Sequence, residues 1–206
     1  MDKVVERYAK VYRHALNGRG FADVDGMVAA FKDRLQAMYT SDTYRRHDVY
    51  PTMNVRHVYA VIAMCLELKE RELTDQQVID TINDGFAARR RFFDVLLRAI
   101  DLLPMSYRIA ERWNVNDHAK RVADGSITYD TFEVGEGRVE YHISHCMYVE
   151  MFDHYGIRGL CKIFCMTDER AYAGLTRHVR FVRHSDLSDG DCCHDEVMDR
   201  RLHGQR

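Results

Sequence analysis

The hydrophobic period changes partway along the chain, and that change limits the folds open to it. Up to about residue 122, apolar side chains recur three and four apart, the spacing of one helix face. From 126 onward, "SITYDTFEVGEGRVEYHISH" alternates apolar and polar, the spacing of a half-buried strand. Val4, Val5, Tyr8, Val11, Tyr12 and Leu16 mark a first helix, ended by Gly18 and Gly20. Val24, Met27, Phe31, Leu35 and Met38 mark a second over 24–39. "YRRHDVYP" at 44–51 loses the period and reads as a connection. A strongly apolar helix follows over 54–70. Thr74 and Gln77 form a capping box that starts a helix over 75–83, and further helices are expected over 86–101 and 105–122, with Pro104 in the turn between them.

In the second half, Ile127, Tyr129 and Val134 lead into Gly135-Glu136-Gly137, and Val139, Tyr141 and Ile143 follow, which predicts a β-hairpin. "CMYVEMFDHYG" reads as a helix ending at Gly156, and "LCKIFCMTDERAYAGL" as a second, broken helical piece. "HVRFVRHSDL" and "DCCHDEVMDR" complete the strands. The expected class is α+β, with an N-terminal helical half and then a small antiparallel sheet with helices packed on one face. A helical region at 1–122 and an α+β region at 123–200 should form one compact domain, with a frayed tail at 201–206.

A chain of 206 residues buries a core of this kind without disulfide staples. Its formal net charge of −2 argues against a nucleic-acid partner, and Arg89-Arg90-Arg91 reads as a solvated helix face. "MDKVVERYAKVYRHAL" carries charges every few residues, unlike a signal peptide. No apolar run approaches the ~20 residues of a membrane span. These features predict a cytoplasmic protein with no membrane partner and with reduced thiols.

Five of the six cysteines lie in the last third, among His, Asp and Glu: "HCMYVE" at 145–150, "CKIFCMTD" at 161–168 and "GDCCHDE" at 190–196. Cys146 and Glu150 are four apart, as are Cys161 and Cys165, with Asp168 three further on, so each set shares a helix face. In a terminal strand Cys193 and Asp195 share one face, and Cys192 and His194 the other. Three readings compete. Free Cys packs well in cores, which suits Cys65, Cys161 and Cys192 but explains Glu150 beside Cys146 poorly. A metal such as zinc would need converging thiolates and imidazoles, and only "CKIFC" and the adjacent Cys192-Cys193 offer tight pairs. A nucleophilic thiol would need a lowered pKa. Cys146 at a helix start beside His145 has the setting for that, with Glu150 one turn along as a proton shuttle. His142 is the other histidine near the cluster.

The stretch from "EYHISHCMYVEMFDHYG" through "CCHDEV" resembles the C-terminal signature of the L-2-amino-thiazoline-4-carboxylic acid hydrolase family. The matching residues are Cys146, Glu150, Gly156, Cys165, Asp168, Gly190, Cys193 and Asp195. The likeness covers about 60 residues closely. It departs at the last strand, where His194 separates Cys193 from Asp195 and Glu196 replaces an aromatic. The resemblance implies hydrolytic opening of a small thiazoline ring to a carbamoyl-cysteine type product, with no cofactor expected. With the spacing it implies Cys146, Glu150, Asp168 and Asp195 as catalytic residues, Asp168 and Asp195 binding the substrate amidinium, and Cys165 and Cys193 lining the pocket; His145 and His142, nearest the cluster, are the further substrate-binding candidates. An Arg should anchor the substrate carboxylate, with Arg138, Arg158, Arg180 and Arg183 as candidates. The rival reading is a non-enzymatic small-molecule or metal-binding sensor of vinyl-reductase-like type.

Overall fold

A computed structural model describes residues 2–190 and 192–203. The class is α+β. Five helices come first: α1 (Lys3–Gly18), α2 (Val24–Tyr39), α3 (Asp42–Arg46), α4 (Thr52–Lys69) and α5 (Asp75–Asp101). Next come α6 (Ser106–Ala123), β1 (Ile127–Gly135), β2 (Arg138–Cys146), α7 (Met147–His154) and a short 3-10 turn (Arg158–Cys161). The chain then runs through α8 (Lys162–Tyr172), β3 (Val179–Ser185), β4 (Cys193–Asp199) and α9 (Arg200–His203). It groups into two compact units, Met1–Arg91 with Met151–Ile163, and Phe92–Glu150 with Phe164–Arg206.

The first unit is helical. Side-chain caps set its helix starts: Asp2 accepts from the Val4 N–H, Asp23 from Gly26, and Ser41 from Tyr44. The capping box is reciprocal. The Thr74 N–H donates to the Gln77 side chain at 2.8 Å, and the Gln77 N–H donates to the Thr74 hydroxyl at 3.3 Å. α4 is buried almost all round, from Val58 to Cys65, as a helix in the middle of a bundle must be. Tyr12, Leu16, Phe31 and Leu35 close on it from α1 and α2.

Three expectations change here. α3, started by the Ser41 cap, runs into the stretch read as a connection and takes its residues 44–46. The helices expected over 75–83 and 86–101 are one helix, running straight through Gly85. That glycine serves packing rather than termination. A Cβ there would lie 2.9 Å from the Val11 carbonyl oxygen and 2.9 Å from a Val11 methyl, so its absence lets α1 and α5 approach. Finally, residues 201–203 of the expected tail belong to α9 (Arg200–His203), where Arg201 bonds Asp199. Residues 204–206, the rest of that tail, lie outside the described residues, as does Asp191 at the start of the expected last strand.

The second unit holds an antiparallel sheet in the order β1-β2-β4-β3. The hairpin turn is Glu136-Gly137, with Gly137 at φ +69° and Gly135 opposite Arg138. β2 runs on to Cys146, three residues past the expected Ile143. Along β4, Cys193, Asp195, Val197 and Asp199 are buried while His194, Glu196 and Met198 are not. The inner face therefore carries Val139, Tyr141, Val179, Phe181 and Val197, which pack with Leu97, Tyr107, Ala110 and Tyr172. α6 lies against this face.

Gly85→Ala should lower Tm even though Ala is the better helix former. A gain of ~1 kcal/mol in helix propensity opposes ~1–3 kcal/mol of overpacking against backbone. Thermal denaturation of Gly85→Ala, with the exposed Gly18→Ala as a reference, checks the sign.

Candidate active site

The inner face of the sheet changes from apolar to polar toward one end. Arg183 on β3 forms a two-pronged pair with Asp195 on β4, at 2.8 Å for Nε–Oδ1 and 2.8 Å for Nη2–Oδ2. Its remaining Nη1 donates to the Cys165 carbonyl at 2.9 Å, which ties α8 to the sheet. The Asp195 side chain is only 2% exposed. Asp195 was expected to bind a substrate amidinium. Both of its oxygens are on Arg183 and it has almost no surface, so in this structure its carboxylate is taken up by that pair.

Asp168 sits one turn past Cys165 on α8, 3.6 Å from the outer edge of the same guanidinium. Burial among protein atoms is the largest influence on its carboxyl and pushes it up to about 6; Arg183 pulls the other way, and Asp195 and Asp117 add to the rise. Water reaches 62% of the side chain, which tempers that rise. Upward is the direction that favours proton transfer near neutral pH.

Cys146 ends β2 and stands at the mouth of α7, where the Met147 N–H is held by the Ser126 carbonyl at 2.8 Å. Burial pushes its thiol up to about 11; the Val149 and Tyr148 N–H groups bond the sulfur and pull it down, and Arg121 adds to that pull. The helix-start setting expected for Cys146 is therefore present, and its sign is as expected. The lowered pKa is not, because desolvation outweighs the two N–H groups. At neutral pH the resting group is a thiol. Glu150 lies 3.4 Å from His145.

The other cysteines separate. Cys165 Sγ contacts Asp186 at 3.6 Å, and Cys193 is buried on the inner face beside Asp195, with its thiol raised mainly by burial. Cys65 and Cys161 are buried, whereas Cys192, grouped with them as a packing residue, is exposed. All six are free thiols. Among the described residues, no set of three side chains placed to share a metal ion includes a cysteine. His142, expected to bind substrate, projects from the outer face of the sheet. It is one residue from Tyr141 and Ile143 of the inner face, so the strand period sends it to the side opposite Asp195.

The sequence reading missed Arg121. Along α6, the face that begins with Tyr107 and Ala110 continues with Asn114, Asp117, His118 and Arg121. Asn114 donates to the Tyr172 hydroxyl at 2.8 Å, and His118 stacks on Phe132 at 3.9 Å. Arg121 bonds the Tyr148 hydroxyl at 3.2 Å and Asp117 at 3.3 Å. Arg121 and Tyr129 are electrostatic neighbours of both Cys146 and Asp168. The available signal was a helix stripe that turns polar where a core helix should stay apolar. Of the four Arg candidates, Arg183 is occupied by Asp195. Arg138 pairs with Glu140 and Glu196 on the outer face, Arg180 shares that face, and Arg158 belongs to the other unit.

Two outcomes follow. Asp195→Ala leaves Arg183, whose side chain is 11% exposed, with only the longer ionic contacts to Asp168 and Glu169, and should cost ~3 kcal/mol in chemical denaturation. Alkylation of Cys146 by iodoacetamide, followed by peptide mass mapping, should be slow at pH 7. It should rise about tenfold per pH unit up to pH 9.5 without a plateau, while exposed Cys192 reacts first.

The sequence model of the family described as L-2-amino-thiazoline-4-carboxylic acid hydrolase matches residues 53–195, well over half of the chain. No curated protein and no solved structure matches. The matched span contains Arg121, Cys146, Asp168, Arg183 and Asp195. The chain belongs to the L-2-amino-thiazoline-4-carboxylic acid hydrolase family.

Proposed function

We propose that this protein hydrolyses the ring of a 2-amino-thiazoline-4-carboxylate type substrate to a carbamoyl-cysteine type product. The observation that carries the reading is the pairing of environments around Arg121. A thiol at a helix start and a carboxyl raised toward neutrality share the same basic and phenolic neighbours. Arg121 is the substrate-carboxylate anchor in this reading, because its guanidinium presents a planar fork and its present partners are a phenol and a half-exposed Asp117.

The ring carbon C2 carries the ring sulfur, the ring nitrogen and the exocyclic nitrogen. When that amidine is protonated, its positive charge stabilises an adjacent thiolate. The burial that keeps the free Cys146 as a thiol also strengthens that attraction. Cys146 passes its proton to the ring nitrogen, and Sγ attacks C2. The C2–ring sulfur bond breaks, and the departing thiolate is protonated by Asp168. Water then adds to C2, one of its protons passing back to Asp168; as the C=O forms, the Cys146 sulfur leaves and takes the other. One water is consumed, and both forms of Asp168 are used. Arg183 and Asp195 hold the α8 backbone that carries Asp168. Glu150 and His145 form a second proton-carrying pair beside Cys146.

The test incubates wild type, Cys146→Ala and Asp168→Asn with L-2-amino-thiazoline-4-carboxylate and reads product by mass. The wild type should give a product one water heavier than substrate. Both variants should lose at least ~10²-fold in kcat, the usual size of a lost acid–base group. Asp168→Asn should not lower Tm at pH 7. A carboxyl raised in the folded state favours folding below its unfolded value of about 4, and that contribution is lost as pH rises through its folded value. No product from the wild type, or full turnover by Cys146→Ala, would contradict the reading.

A further inference from the structure

The outer face of the sheet carries a second constellation, on the side opposite Asp195. Three imidazoles stack across β2, β4 and β3: His142 on His194 with centroids 4.1 Å apart, and His184 on His194 at 4.4 Å. Beside them, His194 Nε2 lies 2.8 Å from a Glu140 oxygen, and His184 Nε2 lies 3.0 Å from a Glu196 oxygen. His142 and His194 are direct register partners, and so are Glu140 and Glu196.

We propose that Glu140, His142 and His194 form a binding site for a first-row divalent transition ion of the zinc, nickel or copper class. Their ligating atoms, one from each residue, lie within 4.8 Å of one another. Tetrahedral bonds of ~2.0–2.1 Å need ligand atoms ~3.3 Å apart, a distance that side-chain rotation on fixed strands can close. His194 Nε2 and a Glu140 oxygen are already 2.8 Å apart, so two of the three ligating atoms face the same point. A donor set of two imidazoles and one carboxylate selects transition metals over magnesium or calcium. It leaves a fourth position for water.

The charge pattern gives a second, independent argument. Two carboxylates placed directly opposite on neighbouring strands repel each other. Arg138 alone bridges them, at 2.8 Å from Glu140 and in contact with Glu196. Glu133, opposite Glu140 on β1, adds a third carboxylate against Arg138 and Arg180, so this face carries an excess of negative charge that a bound cation offsets. Arg138 then acts as an internal competitor for Glu140. His194 also belongs to the neighbouring set with His184 and Glu196, so the face holds one ion, not two.

Equilibrium dialysis of the full chain against Zn²⁺, read by metal analysis and without any substrate, tests this independently of the hydrolase reading. Wild type should bind one Zn²⁺ per chain, and Zn²⁺ should raise its Tm. His142→Ala and His194→Ala should weaken binding at least ~10-fold, Arg138→Gln should tighten it, and Cys192→Ser should leave it unchanged. Three results would overturn the proposal: no saturable binding with no Tm shift in wild type, binding unaffected by both histidine variants, or binding lost with Cys192→Ser.

Discussion

The arrangement of the second unit depends on the two-pronged pair between Arg183 and Asp195. It joins β3 to β4 on the buried face, and its third donor reaches back to the Cys165 carbonyl of α8. A single side chain therefore fixes the strand register and the position of the helix that carries Asp168. A buried guanidinium is tolerated only with its counter-charge and its hydrogen bonds supplied together, and here they are. The cost is that both charges are taken up by each other and almost closed off from solvent, which leaves Asp168 and Arg121 as the more accessible acidic and basic groups beside Cys146.

The two faces of the sheet then divide the protein's polar chemistry. The inner face, covered by α6 and part of α8, is where desolvation raises both Cys146 and Asp168. The outer face carries the histidine stack and its glutamates. The strand period enforces the separation, because adjacent residues such as Tyr141 and His142 cannot reach the same face.

Much of the fold was legible in the sequence, because period is a local property. The change at 126, the capping box at Thr74 and Gln77, and the split helical piece that became a 3-10 turn and α8 all follow from neighbours in the chain. The helix through Gly85 was expected as two, because what that glycine does, admitting the backbone of α1, is set by a neighbour distant in the chain. The site was less legible, for two reasons. Spacing brought out Cys146 and Asp168, but it gave neither the balance between burial and helix N–H groups at the thiol nor the occupation of Asp195 by Arg183. Arg121 lies 25 positions before Cys146, and only the packing of α6 on the sheet makes them neighbours. No helix among the described residues is long and apolar enough to cross a membrane.

The central claim is that a carboxyl raised by its surroundings, Asp168, moves the protons in ring opening. The pH dependence of kcat/KM on L-2-amino-thiazoline-4-carboxylate tests it most directly, since that profile reports groups of the free enzyme. The account predicts a limb displaced above the ordinary carboxyl value of about 4, toward 6, that disappears in Asp168→Asn. A profile flat from pH 5 to 8, or the same limb persisting in Asp168→Asn, would contradict it.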